Sequence, residues 1–359
     1  MFQRKLKALV VAVASVSASQ AIASDQITIE DIPNIEYVLQ SAVSPSGDHI
    51  AFTRKLARKL YIDKDGANYS ELYITDVKGN ERPFITGKVN VKSLEWSADG
   101  QHVYFLGKFG KEKHTKLYRI PLSGGERQAV MALKDTSISA YDISPDGKQV
   151  ALLAMPAKEK SEKKLKELGF KAEVYELGLK NKQLFVTDLA VSSKPLSLDA
   201  VAIDTYVSDM NWSHDAKSML VKTQPTALID DTYTKSQWHV MDVASNKINL
   251  SIATEGKLNQ AEFSHNSDYI AIIGAEDKHD PAAGRLFMVD TDDGKVIDWL
   301  PNFAGHVSDI EWNHKSNRLN FIAQVGTESI VASIKPKRNK YKTLVKAGKF
   351  IASNLSVSD

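Results

Sequence analysis

The 359-residue chain contains no cysteine, which excludes disulfide bonds, thiol catalysis and cysteine-based zinc sites. An excess of charge of one sign is also lacking, because 46 basic and 44 acidic residues leave a formal net charge of +2. No basic stripe interleaved with aromatic residues occurs, so nucleic acid is not an expected partner. Beyond the N-terminal segment, no apolar run is long enough to cross a bilayer.

Sequence motifs for hydrolytic and metal chemistry are absent as well. No G-x-S-x-G, the signature of a hydrolase nucleophile, occurs anywhere in the chain. The nine histidines form no H-x-x-x-H or H-x-H pair. His214, His265 and His314 instead follow the serine or asparagine of a repeated turn, which indicates a structural role. We therefore expect no catalytic residues, no metal site and no cofactor.

Residues 1–23 have the pattern of a signal peptide. Basic residues at positions 4, 5 and 7 precede an apolar stretch at 8–16, and Ala21-Ile22-Ala23 matches a signal-peptidase site. The apolar stretch is shorter than the ~20 residues of a membrane span, which argues against an anchor. We predict export to the periplasm or secretion, a mature chain from Ser24, and no membrane contact after cleavage. The absence of cysteine favours a bacterial periplasm.

A turn motif recurs along the rest of the chain. In "ISPDGKQVALLA", residues 143–154, an apolar residue, the turn Ser-Pro-Asp-Gly and an apolar strand follow one another. Proline fixes φ, aspartate caps the turn and glycine accepts a positive φ, so the stretch predicts a β-hairpin. The reference residues of six copies, and of the start of a seventh, are Ser44, Ser97, Ser144, Ser213, Ser264, Asn313 and Ser358.

The repeat spacing predicts a propeller. Successive copies lie 45 to 69 residues apart, and most of these spacings are close to the period of propeller blades. Each complete period carries a second hairpin pattern, such as "ELYITDVKGNERPFI", and two hairpins make one four-stranded antiparallel blade. We predict an all-β fold over residues 24–359, a β-propeller with six complete repeats and the start of a seventh. Trp96, Trp212 and Trp312 precede the turn in three repeats and are expected in the core.

An insertion interrupts the repeats between the third and fourth copies, where the spacing is 69 residues. It covers residues 155–182. Its Lys/Glu-rich part predicts a solvated helical excursion from one face of the propeller. Apolar residues within it, including Leu168 and Phe170, predict packing on another surface.

The repeats, the export signal and "LGFKAEVYELGLKNKQLFVTDL" (residues 168–189) together resemble the N-terminal propeller of the prolyl oligopeptidase family of serine peptidases. The similarity is greatest to the acylaminoacyl-peptidase and dipeptidyl-peptidase branch, and it covers the mature chain. It implies a substrate-gating propeller that acts on short peptides with a C-terminal α/β-hydrolase domain as its partner. In the dipeptidyl-peptidase branch a glutamate pair binds the amino terminus of the substrate. Glu173 and Glu176 match that pattern, whereas Leu177 stands where a further glutamate is frequent.

The sequence contains none of the catalytic half that this resemblance implies, so the chain alone is expected to be inactive. A stand-alone periplasmic propeller of the TolB or WD type, acting as a protein-binding module, is the alternative. The stretch between Ser24 and Ser44 is too short for the α/β domain that precedes a TolB propeller. A reading frame that continues from Asp359 to a G-x-S-x-G motif would distinguish the peptidase from the binding module.

Overall fold

The computed structural model of the protein describes residues 29, 31–59, 61–172, 176–279, 282–313, 315–348 and 350–358. The predicted signal peptide, Glu173, His314 and Asp359 lie outside the described residues. The chain divides into two compact units. Within the described ranges, no helix has the length and apolarity needed to cross a membrane.

The small unit comprises the described residues up to Tyr37 together with Leu56–Asn68. It contains a 3-10 turn at Ile32–Asn34 and a loop that is ordered around Arg58. The guanidinium group of Arg58 donates hydrogen bonds to the carbonyl oxygens of Lys64 (2.9 Å) and Ala67 (2.8 Å). The Arg58 side chain therefore joins two points of the loop, and Asp63 Oδ2 accepts a further hydrogen bond from the Lys59 N–H (2.9 Å).

The large unit, from Val38 to Lys55 and from Tyr69 onwards, consists of six antiparallel sheets arranged as the blades of a β-propeller. Blades one and two contain β1 (Tyr37–Val43), β2 (His49–Leu56), β3 (Tyr69–Asp76), β4 (Glu81–Ile85), β5 (Lys92–Trp96), β6 (His102–Gly107), β7 (Lys116–Pro121) and β8 (Gln128–Met131). Blades three and four contain β9 (Ile138–Ile143), β10 (Gln149–Ala154), β11 (Gln183–Asp188), β12 (Tyr206–Trp212), β13 (Ser218–Gln224), β14 (Gln237–Asp242) and β15 (Lys247–Ile252). Blades five and six contain β16 (Leu258–Phe263), β17 (Tyr269–Ala275), β18 (Gly284–Asp290), β19 (Val296–Asp298), β20 (His306–Asn313), β21 (Arg318–Val325), β22 (Glu328–Ile334) and β23 (Lys342–Val345). The predicted propeller is confirmed.

Two short helices interrupt the strands, α1 (Lys160–Glu167) and α2 (Ile229–Thr234). Each blade is a meander, because its strands are hydrogen-bonded in chain order. The repeated serine turns join the first strand of a blade to the second, so they lie at one end of the strands, which we call the turn face. The connection from the second strand to the third lies at the opposite end. Because α1 belongs to such a connection, between β10 and β11, we call that end the insertion face.

The second strand of each blade forms most of the core. Every residue of β17 is buried, and all of β10 except Gln149 is buried, whereas β23 at the outer edge of its blade is exposed. Second strands lie inside a sheet and are covered on both faces by adjacent blades, which explains their continuous apolar runs such as "VALLA". The core therefore lies between the blades, and the innermost strands β1, β5, β9, β12, β16 and β20 surround a central channel.

The repeated turn is held by a buried hydroxyl. Ser144 Oγ donates a hydrogen bond to Asp146 Oδ1 (2.7 Å) and accepts one from the backbone N–H of Gln149 (2.9 Å). Gly147 has a φ of 68°, which glycine adopts without strain. The predicted hairpin chemistry is confirmed. In four other repeats, the Oγ of the reference serine likewise accepts a hydrogen bond from the backbone N–H five residues later. These serines are Ser44, Ser97, Ser213 and Ser264.

Replacing Ser144 with alanine should lower the free energy of unfolding by about 1–3 kcal/mol, because the Gln149 N–H and the Asp146 carboxylate each lose a partner. Urea unfolding followed by tryptophan fluorescence measures the change. Ser123→Ala, at an exposed turn position, is the matched control and should lie within about 0.5 kcal/mol of wild type. Equal midpoints for the two variants would contradict the role of the buried hydroxyl.

The third blade departs from the predicted four strands. Its sheet contains three, in the order β11-β10-β9. The chain after β11 runs along the edge of the second blade instead, where the Leu196 N–H donates to Ala132 O (2.8 Å) and Leu196 pairs in parallel with Leu133. Pro195 precedes this contact and has no N–H, so it is suited only to the edge of a sheet.

Residues 350–358 follow the sixth blade and belong to no strand. They include Ser358, the reference residue of the predicted seventh repeat. The segment lies between β20 and β1, where it hydrogen-bonds to both strands. The described ring therefore contains six sheets and one irregular segment at the joint between the last blade and the first.

Candidate functional site

Acidic side chains line the central channel. They stand two or four residues before the reference residue of a repeat, on the innermost strands, where five of the six are half-buried and Asp209 is exposed. The carboxylates at these positions are Glu95, Asp142, Asp209, Glu262, Asp309 and Glu311. A propeller channel that concentrates acidic groups in this way is a candidate site for a cationic ligand.

Three of these carboxylates also join neighbouring blades. Asp142 Oδ2 accepts a hydrogen bond from the Trp212 N–H (2.9 Å), and Glu262 Oε2 accepts one from the Trp312 N–H (3.2 Å). Glu95 Oε1 likewise accepts a hydrogen bond from the Ile143 N–H of the third blade (3.3 Å). Each oxygen with a backbone partner is held in position, so the acids form an ordered lining.

Burial raises the pKa values of the channel acids. It raises the pKa of Asp142 to about 7 and the pKa of Glu262 to about 8, because the charged form is poorly solvated there. Burial, with the adjacent Asp142 carboxylate, raises the pKa of Glu95 well above its ordinary value. Burial and the Glu262 carboxylate do the same for the pKa of Glu311. At neutral pH the channel therefore holds protons as well as negative charge.

The channel is different at its insertion-face end. Asp209 and Asp309 stand two residues earlier on their strands than the other acids, so they lie closer to that face, and partial loss of solvation by the surrounding protein raises the pKa of both. Lys222 lies near Asp209 and donates a hydrogen bond to Leu258 O. Burial lowers the pKa of Lys222, although the Asp209 charge opposes this. One buried cation thus partly balances the acids at this end.

The channel acids can exchange protons and bind an ammonium or guanidinium group. Within the described ranges, no group of three or more His, Asp and Glu side chains has the arrangement needed to hold a metal ion. Carboxylates that are partly ionised and recessed make charge-assisted hydrogen bonds stronger than those at an open surface. The arrangement therefore suits an organic cation.

Both glutamates predicted from the sequence belong to the insertion, residues 155–182. Glu173 is outside the described residues. Glu176 is exposed, and its backbone has a φ of 67°, which is uncommon for a residue with a side chain. The structure thus places Glu176 at the surface, and the predicted glutamate pair stays a prediction.

The insertion begins and ends in well-ordered contacts. The predicted helix is confirmed as α1, whose first turn has a capping box between Glu159 and Glu162. Glu162 Oε1 also forms an ion pair with Lys180 Nζ (2.9 Å), which ties the end of the insertion to the helix. Two cavities of about 360 Å³ and 380 Å³ flank its base and share Pro156 and Gln183 as lining residues.

Apolar side chains project from this insertion into solvent. Leu168, Phe170 and Leu177 are 64%, 69% and 72% exposed. The expected packing of this patch on another surface is not made within the described residues. A group of exposed apolar side chains on one excursion is typical of an interaction surface.

The tryptophans and histidines of the repeats have structural contacts. Trp96, Trp212 and Trp312 are buried, which confirms the predicted core role. His214 and His265 lie with their ring centroids 4.3 Å apart, at the turns of the fourth and fifth blades. These contacts agree with the structural role expected for the two histidines.

A hydroxyl–imidazole chain in the fourth blade was not predicted. His239 Nε2 lies 2.8 Å from Thr223 Oγ1, and His239 Nδ1 lies 2.8 Å from Ser251 Oγ. Burial lowers the pKa of His239, so the imidazole is neutral at neutral pH. A second hydroxyl, rather than a carboxylate, stands where a serine-hydrolase triad has its acid. These two contacts satisfy both ring nitrogens of a buried histidine, and the arrangement is not a hydrolase triad.

A signal for the channel acids was present in the sequence. Glu95, Asp142, Glu262 and Glu311 each stand two residues before the reference residue of their repeat. Aligning the repeats by position, rather than by turn motif, would have identified this acidic column. Its location in the channel follows once the innermost strand of each blade is known.

Comparison with known proteins supports the fold. No family model and no curated protein sequence matches the chain. Among solved structures, it is similar to an acylaminoacyl peptidase in complex with Z-Gly-Gly-Phe-chloromethyl ketone, at 12% identity and a TM-score of 0.67 over 91% of this chain and 49% of that chain. It is also similar to a prolyl endopeptidase, at 15% identity and a TM-score of 0.59 over 89% of this chain and 44% of that chain.

A TolB from Acinetobacter baumannii matches 90% of this chain and 83% of its own length, with 13% identity and a TM-score of 0.48. The chain spans about half the length of the two peptidases. The predicted structural resemblance to the propellers of prolyl-oligopeptidase-type peptidases is confirmed, and at these identities it establishes the fold alone.

Proposed function

We propose that this chain is the substrate-gating propeller of an exported serine peptidase of the prolyl oligopeptidase type. The observation that supports this most is that nearly the whole chain matches about half of each of two peptidases. The catalytic α/β-hydrolase domain would be the partner, and peptides the substrates. The signal-peptide pattern of residues 1–23 supports export.

The channel gives this function a chemical basis. A peptide with a free amino terminus carries an ammonium group, and the channel acids Asp142 and Glu262 provide recessed carboxylates for it. An ammonium–carboxylate hydrogen bond contributes about 1.5–3 kcal/mol. The propeller would then favour peptides that enter with their amino terminus first.

The insertion supplies a docking surface for the catalytic domain in this proposal. The exposed side chains of Leu168, Phe170 and Leu177 form an apolar patch, and burying such a patch drives association. Glu176 lies in the same insertion, so its carboxylate would face the space between propeller and partner. Glu173 and Glu176, the pair that the family resemblance implies, are the alternative contacts for the substrate amine, at that interface instead of in the channel.

Peptide binding tests the proposal on the chain as it is. A tripeptide with a C-terminal fluorophore should bind roughly ten- to a hundredfold more tightly with a free amino terminus than with an acetylated one. Fluorescence anisotropy at about pH 7.5 measures both affinities, since the α-amino group is still largely charged there. Acidification to about pH 6 should reduce the difference, because the channel carboxylates become protonated.

Variants locate the binding site. Asp142→Asn combined with Glu262→Gln should remove the preference for a free amino terminus, and Glu126→Gln, at an exposed position, should leave it intact. Loss of the preference in Glu176→Gln alone would place the amine at the insertion instead of the channel. Equal affinity of wild type for both peptides would contradict substrate gating and favour the protein-binding alternative.

A further inference from the structure

A third cavity, also of about 360 Å³, lies at the insertion-face end of the fourth blade. Its walls come from the ends of β13 and β14, from the chain next to β12 and β15, and from residues 225–236, the connection that contains α2. Eight of the ten lining residues carry a hydroxyl, amide or ammonium group. Ligand pockets are usually lined mainly by apolar side chains, so this lining suits a hydrophilic ligand.

Gln224, the last residue of β13, contributes a buried amide to the lining of this cavity. Its Nε2 donates hydrogen bonds to the carbonyl oxygens of Thr226 (2.9 Å) and Leu228 (3.3 Å) and to Thr232 Oγ1 (2.9 Å). Two of these partners can only accept, which fixes the orientation of the amide. Gln224 is 2% exposed, and within the described ranges its Oε1 has no hydrogen-bond partner. A buried acceptor of this kind requires a donor from a bound molecule, either water or a ligand.

The size of the cavity favours a ligand over a single water molecule. A cavity needs only about 10–15 Å³ of such volume to hold one water, whereas sites for small ligands begin near about 300 Å³. At about 360 Å³ the cavity therefore has the volume of a small-molecule site.

Three hydroxyl groups of the lining already donate their hydrogen atoms within the protein. Each donates to a backbone carbonyl oxygen, so its own oxygen can still accept. The bonds are Thr234 Oγ1 to Asp230 O (2.7 Å), Ser236 Oγ to Thr232 O (2.7 Å) and Thr254 Oγ1 to Gly256 O (3.0 Å). Thr205 and Gln237 also line the cavity and make no side-chain hydrogen bond within the described part of the chain, so they can donate. The lining therefore offers several acceptors and a smaller number of donors.

The lining is also close to neutral. Among the described residues no carboxylate lines the cavity, and its one cation, Lys235, forms an ion pair with Asp231 Oδ1 (2.8 Å). Asp231 is buried, and its Oδ2 accepts hydrogen bonds from the N–H (3.1 Å) and the hydroxyl (2.6 Å) of Thr226. One carboxylate thus compensates the lysine charge and fixes the conformation of the loop. A charged ligand would lose its hydration without gaining a counter-charge.

We propose that this cavity binds a neutral ligand with several hydroxyl groups, of which a monosaccharide is the simplest example. Each hydroxyl of such a ligand donates one hydrogen bond, which Gln224 Oε1 and the acceptor hydroxyls can take, and can accept one from Thr205 or Gln237. Because the loop and the amide are already held by hydrogen bonds, binding requires little reordering of the protein. The cavity shares no residue with the channel acids, so sugar binding is an activity additional to peptide gating.

Saturation-transfer difference NMR on the whole chain tests the ligand class. The neutral probes are D-glucose, D-galactose, D-mannose and N-acetyl-D-glucosamine, and we expect at least one of them to bind at millimolar concentration. At about pH 6, D-glucuronate and D-glucosamine are both charged, and they should bind at least about tenfold more weakly than the best neutral probe. No saturation transfer to any neutral probe, or tighter binding of a charged one, would overturn the proposal.

Two tryptophan variants locate the bound sugar. Ala253 is exposed and lines the cavity, so Ala253→Trp puts a large side chain there and should abolish binding. Ala244 is exposed in the turn between β14 and β15, at the opposite end of the same blade, so Ala244→Trp is the matched control and should bind like wild type. Equal affinities of the two variants would place the sugar elsewhere and overturn the proposal.

A smaller change tests recognition through hydrogen bonds. Thr254→Val keeps the shape of the side chain and removes an acceptor oxygen, so the Kd should rise about threefold to tenfold. Thr343→Val, on the exposed strand β23, is the control and should leave the Kd unchanged. If Thr254→Val had wild-type circular dichroism and bound the sugar as tightly as Thr343→Val, the proposed recognition of hydroxyl groups would be wrong.

Discussion

Thermal unfolding of the whole chain should move to higher temperature, by about 5 °C, as the pH is lowered from about 9 to about 6. Burial is the first cause in each case: it raises the pKa of Asp142 to about 7 and that of Glu262 to about 8, and it raises the pKa values of Glu95 and Glu311 well above their ordinary values. In the unfolded chain these groups are ionised throughout this range. In the folded chain these carboxyl groups either stay protonated or carry a negative charge that is poorly solvated.

The sign of this effect follows from proton binding. Above pH 5 the folded state binds more protons than the unfolded state, so the free energy of unfolding falls as the pH rises. The loss begins near the unfolded pKa of an acid and is complete above the folded pKa, at pH 8 or higher for Glu262. Because water reaches the channel, we expect a total change of about 2–4 kcal/mol and not the sum of the individual shifts.

Amide variants test the origin of the pH dependence. Asp142→Asn with Glu262→Gln keeps an oxygen for each tryptophan N–H and removes the ionisation, so the melting temperature should depend less on pH and exceed that of wild type at pH 9. Asp146→Asn is the control. Its carboxylate is exposed, and the Ser144 hydroxyl that bonds to it lowers its pKa, so it should leave the dependence above pH 6 unchanged. Stability that rises with pH in wild type would contradict the buried-acid model.

Trp312→Ala should lower the free energy of unfolding by about 3–5 kcal/mol, the range for removal of a large buried aromatic side chain. Trp312 is 2% exposed, packs against Trp299 with ring centroids 6.1 Å apart, and bonds through its indole to the fifth blade. Its loss opens a cavity at a joint between blades and leaves Glu262 O without this partner. Urea unfolding monitored by circular dichroism measures the change.

Two further variants separate the contributions at Trp312. Trp312→Phe keeps much of the ring volume and removes the indole N–H, so it should cost less than the alanine variant, with about 1 kcal/mol arising from the hydrogen bond. Tyr61→Ala removes an aromatic side chain that is fully exposed, and should have little effect. If the alanine variant cost no more than the Tyr61 variant, the joint would not depend on this side chain.

The propeller could be predicted because its signals are local. The serine, aspartate and glycine of each turn act within a few residues of one another, as the bonds of Ser144 to Asp146 and Gln149 demonstrate. Repetition of such a unit at a blade-like spacing determines the architecture. The buried position of Trp96, Trp212 and Trp312 followed from the same repetition.

Features that depend on distant contacts could not be predicted in this way. Leu196 leaves its own blade to pair with Leu133, a choice that depends on which sheet edge is available in space. The channel acids are separated by whole repeats, and their raised pKa values arise only when the inner strands surround a common channel. The predicted glutamate pair on the insertion depended on family resemblance, and it stays a prediction.

The ends of the insertion have a practical consequence for protein engineering. Ala154, the last residue of β10, is directly opposite Gln183, the first residue of β11. The insertion therefore leaves and re-enters the propeller at adjacent points, and the entropy of closing such a loop increases only slowly with its length. A reporter domain or an affinity handle with nearby termini can replace residues 156–181 while the strand pairing on either side is retained. A reporter inserted at this position would label the propeller in cells without interrupting a blade strand.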